Sequence, residues 1–284
     1  MMKSSLRYYP ALVLLAVATL TSACAGGMAG SKARMYDWDA GTKVVYELTT
    51  VQTTTLEIPG AGEQAMGSLS SVTFEVVSTG PRKFDVTFID ASESADQADM
   101  TGLVPEINEL IGTTGSVTLD ALGKIVESSG LEENPYVEFL GSEAFLDQTL
   151  QVLFQILPEG GLVEGSEWGR EYAYPFGIMG LEMEMAFSEA YNCLEAGTYE
   201  NEAAFRIGNS GTSSLIGGGE IQGAIMDMML SGTGEGYSWI SATTGMLLQS
   251  ENTIRMGGGI SAQGMDIPMN MELKVTLVVT DRGE

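Results

Sequence analysis

The sequence predicts a mainly β protein: an antiparallel, strongly curved sheet, or an open or partly closed barrel, with one or two covering helices. Three observations carry this expectation. Apolar and polar residues alternate with period two along much of the chain, the mark of strands with one buried and one wet face. Glycine is abundant, 36 of 284 residues, which suits tight turns and close strand crossings. Only one stretch carries a sustained helical stripe. With 44% hydrophobic residues and a mean hydropathy of +0.10, the chain is far too apolar to be disordered.

Residues 1–23 read as an export signal. Lys3 and Arg7 form a positive start, and Ala11 to Leu20 form an apolar core. That core is shorter than the roughly 20 apolar residues that span a bilayer. Leu20-Thr21-Ser22-Ala23-Cys24 follows. Here the segment resembles a bacterial lipoprotein signal, in which a small-residue box ends at a cysteine. The resemblance implies that Cys24 is diacylated and becomes the new N-terminus. Ser22 and Ala23 fit the box; Thr21 departs from it, since leucine is usual there and stands one place earlier. In a Gram-negative host, Ala25 would imply the outer membrane, facing the periplasm. An ordinary secretory signal cleaved nearby, with Cys24 incidental, is the alternative.

With Cys24 lipidated, Cys193 has no intramolecular partner, so no disulfide framework is expected. No Lys, Arg or His neighbours Cys193 to stabilise a thiolate, which marks it as a buried apolar residue. Residues 24–35 are small and glycine-rich and suit a flexible tether. One β-rich domain is expected over 36–284.

The clearest strand runs from Met269 to Val279. It puts Met269, Met271, Leu273, Val275 and Leu277 on one face, with Asn270, Glu272, Lys274 and Thr276 on the other. Met183, Met185 and Phe187 alternate with Glu182 and Glu184. Phe84, Val86 and Phe88 alternate with Lys83, Asp85 and Thr87, and Val72, Phe74 and Val76 do likewise. Further β-rich runs are Val44–Ile58, Thr198–Ile207, Tyr237–Ile240 and Met246–Met256. Sheets with one wet face are antiparallel.

Two hairpins look alike. Val117–Ser128 can be laid over Trp239–Ser250 with Gly123 coinciding with Gly245, each closing a short polar turn in which a glycine takes positive φ. This suggests two related β-halves, 36–130 and 166–284, joined by a helical segment at 131–165; chance similarity of two hairpins is the alternative. In that segment Ser142 can cap a helix whose stripe is Phe145, Leu146, Leu150, Leu153, Phe154 and Leu157, stopped by Pro158. A shorter candidate spans Pro105 to Ile111. Helices of this kind cover an exposed sheet face.

The chemistry is largely exclusion. The chain has no histidine, so Ser-His and Cys-His catalysis and His-based zinc sites are ruled out. A formal charge of −25, or −27 once Lys3 and Arg7 are removed, argues against nucleic-acid partners. Gly217-Gly218-Gly219 and Gly257-Gly258-Gly259 lack the lysine and helix of a phosphate cradle and read as mobile loops or close strand crossings. Carboxylates are plentiful, but none stands out as a glycosidase pair. Asp37, Asp39, Asp96 and Asp99 could ligate calcium, without the spacing of an EF-hand loop; a solvated acidic surface explains them better. No enzyme, cofactor or metal site is expected.

The 17 methionines, concentrated in the second half, read first as core filling. A deformable apolar cavity and a soft-metal site are the alternatives. The groove wall expected for such a cavity is Met183, Met185, Phe187, Met269, Met271, Leu273 and Val275. In outline the chain looks like half-barrel periplasmic lipoproteins and lipoprotein carriers, whose curved sheet and capping helices enclose an apolar groove. It is also similar to secreted bacterial families with a Gly-x-x-Trp element after a mid-chain helix, here Gly165-Ser166-Glu167-Trp168. These likenesses imply a membrane attached through Cys24 and a hydrophobic ligand carried in the groove. The alternative is a structural or interaction lipoprotein of the envelope, with a filled core and a protein partner.

Overall fold

The computed structural model describes residues 35–95, 106–140, 145, 149–178, 181–221, 224–262 and 264–283. Cys24, Asp96, Asp99, Pro105, Ser142 and Leu146 lie outside the described residues. The described chain forms one antiparallel sheet of 11 strands. These are β1 (Lys43–Ile58), β2 (Gly62–Gly80), β3 (Lys83–Ala95), β4 (Thr114–Leu119), β5 (Ile125–Ser129) and β6 (Glu167–Ile178). They continue with β7 (Leu181–Tyr199), β8 (Glu202–Ile221), β9 (Ala224–Ser241), β10 (Leu247–Ala262) and β11 (Met265–Arg282). The sheet does not close: its order is β5-β4-β3-β2-β1-β11-β10-β9-β8-β7-β6, with β5 and β6 as edges.

Alternation does what period two requires. Along β7, Met183, Tyr191 and Cys193 are buried while Glu182, Glu184, Ser188 and Asn192 are exposed. Along β1, Val44, Tyr46, Leu48 and Thr54 are buried and Thr53 is exposed. On these two strands the buried residues are mostly apolar and the exposed ones mostly polar.

One end of the inner face is solid. Phe74, Phe84, Phe88, Phe145 and Phe154 are at most 1% exposed. With Trp38 their rings make two sets of contacts, Trp38–Phe84 at 4.9 Å with Phe84–Phe154 at 5.1 Å, and Phe74–Phe88 at 5.1 Å with Phe88–Phe145 at 5.8 Å. Such offset and edge contacts add to the burial of the rings themselves. The Tyr36 hydroxyl donates to the Gln155 carbonyl oxygen at 2.5 Å, pinning the chain entering β1 to the covering segment.

Both expected hairpins form. The β4–β5 turn has Gly123 at φ +92 and the β9–β10 turn has Gly245 at φ +72. The same displacement along the chain carries β1, β2 and β3 onto spans overlapping β6, β7 and β8.

Several boundaries differ from expectation. A helix, α1, covers Pro135–Leu140, upstream of the expected one. Asn134 caps it, its Oδ1 accepting from the Tyr136 and Val137 amides at 3.0 and 3.4 Å, and Pro135 suits the first helical position. Downstream, Phe145 is helical, a 3-10 turn follows at Gln151–Leu153, and Phe154 is already extended. The cause is tertiary: the buried Gln151 amide donates to the Gly123 and Phe154 carbonyls and accepts from the Ile125 amide. The expected stripe is nonetheless buried at Phe145, Leu150, Leu153, Phe154 and Leu157. The shorter candidate is a 3-10 turn at Ile107–Leu110, with Ile111 exposed. The run Thr198–Ile207 is broken by a hairpin at Glu200-Asn201, both at positive φ. Gly257–Gly259 and Gly217–Gly219 lie inside β10 and β8, as close strand crossings rather than loops.

Candidate functional site

Antiparallel register joins the inward side chains into rows across the sheet. One row runs Arg170, Glu189, Gly211, Gly234, Ile254, Leu273 and Gln52, from β6 to β1. The neighbouring row toward the packed end runs Tyr191, Asn209, Gly236, Asn252, Val275 and Thr50. The neighbouring row toward the hairpin tips runs Tyr172, Phe187, Ser213, Gly232, Met256 and Met271. Across from these rows lie Ile107, Leu110, Tyr136, Phe145, Val152 and Phe154. Between them is a cavity of about 590 Å³, within the ~300–1,000 Å³ typical of small-ligand sites.

Glycine makes this space. Gly211 and Gly234 face each other in register in the cavity lining, where two side chains would otherwise stand. Beside them, a Cβ on Gly232 would lie 1.8 Å from the Arg255 carbonyl oxygen. Strands β9 and β10 thus approach too closely at that point for any side chain.

The wall on β6 and β7 is polar at one place. Arg170 Nε donates to Glu189 Oε2 at 2.5 Å, and its Nη2 donates to the Tyr172 hydroxyl at 3.1 Å. The Tyr172 and Tyr191 hydroxyls both donate to Glu189, Tyr172 at 3.4 Å. The guanidinium also lies over the Tyr172 ring, 4.2 Å from its centroid. Burial works against the charge on Arg170, but Tyr191, Tyr172 and Glu189 outweigh it and hold its pKa above the ordinary arginine value. Burial pushes both tyrosines up, against the opposing pull of Arg170. Each charge is therefore matched inside the cluster.

Five of the expected groove residues line the cavity: Met185, Phe187, Met271, Leu273 and Val275. Met183 and Met269 face the same side but lie farther toward the hairpin tips, outside the lining. Met183 is buried and its Sδ lies 2.6 Å from where a Cβ on Gly217 would be, so its thioether occupies the space over that glycine. Met269 is half-buried between Gly258 and Leu56. Cys193 is buried and free.

Sequence reasoning missed β6 and with it Arg170, Tyr172 and Tyr174, as well as Glu189 on β7. Two signals were present. Trp168, Arg170, Tyr172 and Tyr174 alternate like a strand whose inner face holds one cation. Gly232, Gly234 and Gly236 repeat with period two, the pattern of a strand that offers backbone instead of side chains to its inner face.

No family model and no curated protein matches the chain. Among solved structures the chain is similar to lipovitellin, from a study of its lipid–protein interactions. The identity is 8% and the TM-score 0.47, over 86% of this chain and 26% of that one. It is similar to Neisserial surface protein A at 7% identity and TM-score 0.24, over 82% and 96% of the two chains. It is also similar to OccK9 of Pseudomonas aeruginosa at 7% identity and TM-score 0.26, over 86% and 100%. The chain spans about a quarter of the lipovitellin chain it matches. At these scores the likenesses decide nothing about ligand or location.

Proposed function

We propose that this is a non-catalytic, lipid-anchored protein of the cell envelope that binds or carries an apolar, lipid-like ligand in the cavity. The hollow on the inner face carries the reading. A sheet that packs its aromatic residues solidly at one end leaves about 590 Å³ open at the other, walled by Leu273, Val275, Ile254, Phe187 and Met185. Apolar walls with a few placed polar groups are what a small lipid needs. Methionine suits such a wall because its flexible thioether adapts to different chains. The mostly polar exposed residues of β1 and β7 support a domain held outside the bilayer, with the membrane reached through lipid on Cys24 and the periplasmic side of the outer membrane as its place in a Gram-negative host.

The test is native mass spectrometry of protein purified from its own membranes, followed by titration of the delipidated protein with Nile red. A bound extractable lipid and saturable dye binding, lost when Leu273→Trp fills the hollow, are expected. Protein that carries no lipid and takes up no dye overturns the reading. Anchoring is tested separately by intact mass: Cys24 should carry diacylglycerol, and an unmodified Cys24 in the processed protein overturns that part.

A further inference from the structure

Resting on that reading, we infer that the ligand is an uncharged lipid ending in a hydroxyl group, such as a long-chain alcohol or a glyceride, and not a fatty acid or phospholipid. The polar groups facing the cavity divide into two sets. The charged set is complete in itself. Arg170 is the cation and Glu189 the anion, their side chains only 23% and 20% exposed. The carboxylate oxygens accept from the guanidinium and from the two tyrosine hydroxyls. An anionic headgroup would have to displace Glu189 from its guanidinium and leave a buried carboxylate uncompensated, a costly exchange. It would also enter a chain with 38 acidic and 13 basic side chains. A cationic headgroup meets a carboxylate whose charge Arg170 already neutralises.

The second set is neutral and incomplete. Asn209 Oδ1 and Ser213 Oγ are buried without a hydrogen-bond partner among the described residues. The Asn209 amide is already oriented: its Nδ2 donates to Asn252 Oδ1 at 2.7 Å, and Asn252 Nδ2 donates to Ser250 Oγ at 2.9 Å. That chain of donors fixes Asn209 Oδ1 as an acceptor awaiting a donor. Both residues stand on β8 on either side of Gly211, which is in register with Glu189. The bare floor at Gly211 and Gly234 thus lies between an unmet acceptor and an unmet hydroxyl. The two stand four residues apart on one strand, about 13 Å between their Cα atoms, so a hydroxyl meets one of them at a time. Asn209 Oδ1, which can only accept, is the one that requires a donor, and an alcohol supplies it. Unsatisfied buried polar atoms discriminate strongly because a ligand lacking the matching group leaves them unpaired.

The experiment is displacement of Nile red from delipidated protein at neutral pH by a long-chain alcohol, the fatty acid of equal length and the corresponding alkane. The alcohol is expected to displace the dye at concentrations about tenfold lower than the acid or the alkane. Asn209→Leu should remove the alcohol's advantage over the alkane. Glu189→Gln frees the guanidinium and should improve the fatty acid about tenfold while changing the alcohol little. Should that variant fail to fold, Ser213→Ala with Asn209→Leu still tests hydroxyl recognition. Acid and alcohol displacing equally, or alcohol no better than alkane, overturns the inference and leaves the cavity reading intact. Dye that none of the three displaces overturns both.

Discussion

Trp168 donates its indole N–H to the carbonyl oxygen of Ile156 at 2.9 Å while its ring stacks on Tyr191 at 5.5 Å. The residue thereby ties edge strand β6 to the covering segment that roofs the cavity. Trp168→Phe keeps a ring for stacking but leaves the carbonyl without its donor. A loss of about 1–2 kcal/mol is expected from urea unfolding, with faster hydrogen exchange at the Phe154 amide. An unchanged midpoint means packing alone holds the roof.

Gly232 and Gly197 are both strand glycines with opposite expectations. A Cβ on Gly232 meets the Arg255 carbonyl oxygen at 1.8 Å, whereas one on Gly197 meets nothing within 4 Å. Gly232→Ala should destabilise by several kcal/mol because two strands must separate. Gly197→Ala should be neutral or stabilise by up to about 1 kcal/mol through the unfolded chain. Equal unfolding midpoints would contradict the close crossing of β9 and β10.

The solid and hollow ends should respond differently to the same kind of truncation. Phe84→Ala, at a wholly buried ring between Trp38 and Phe154, should cost about 3–5 kcal/mol. Leu273→Ala, on the cavity wall, should fall below the ~2–5 kcal/mol of a packed leucine, since no new void opens. Leu273→Asp should still be far worse than Thr276→Asp on the outer face, because only the first puts charge among apolar walls. Chemical denaturation of the four variants decides this; a Leu273→Ala cost like that of a packed core leucine would mean the hollow is filled in solution.

Alkaline pH should unfold the domain before its tyrosines ionise. Burial raises the pKa of Tyr36, Tyr46, Tyr172 and Tyr191 in the folded protein, while unfolded tyrosines titrate near ~10. A raised folded pKa means the stabilisation is whole below that unfolded value and is lost progressively as pH climbs above it toward the folded ones. Tyrosinate absorbance should therefore rise in step with loss of β circular dichroism. Ionisation of Tyr36, Tyr46, Tyr172 and Tyr191 at full β content is the contrary outcome.

The alternating strands were legible because one face of each is dry and the other wet, and composition records that directly. Strand β6 was not, because its inner face holds Arg170, whose charge is matched by Glu189 on the next strand. A pair made across a register cannot be read from either strand alone. Helix α1 was not legible because the apolar stripe from Phe145 to Leu157 drew the reading downstream. The Asn134-Pro135 start lay upstream of it, and the Gln151 bonds that unwind its far end reach back to Gly123 and Ile125. The groove wall was legible on β11, where Met271, Leu273 and Val275 line the cavity. It was less so at Met183 and Met269, because alternation fixes which face a residue occupies but not how far along the sheet the hollow extends. The cavity itself arises from absent side chains, and the repeat Gly232, Gly234, Gly236 was its one trace.

The order of strands also has a temporal meaning. Every neighbouring pair in the sheet joins consecutive strands except β1 with β11, the first with the last of those described. Two half-sheets can therefore form quickly from local contacts, whereas joining them waits on the most distant pairing in the chain, the kind that slows folding most. During synthesis β1 is complete almost at once. Until Met265–Arg282 emerges, one side of its 16 residues remains an unpaired edge, the kind of edge that recruits foreign strands. A nascent chain stalled before β11 is the species most exposed to aggregation, and a chaperone that shields Lys43–Ile58 would protect it.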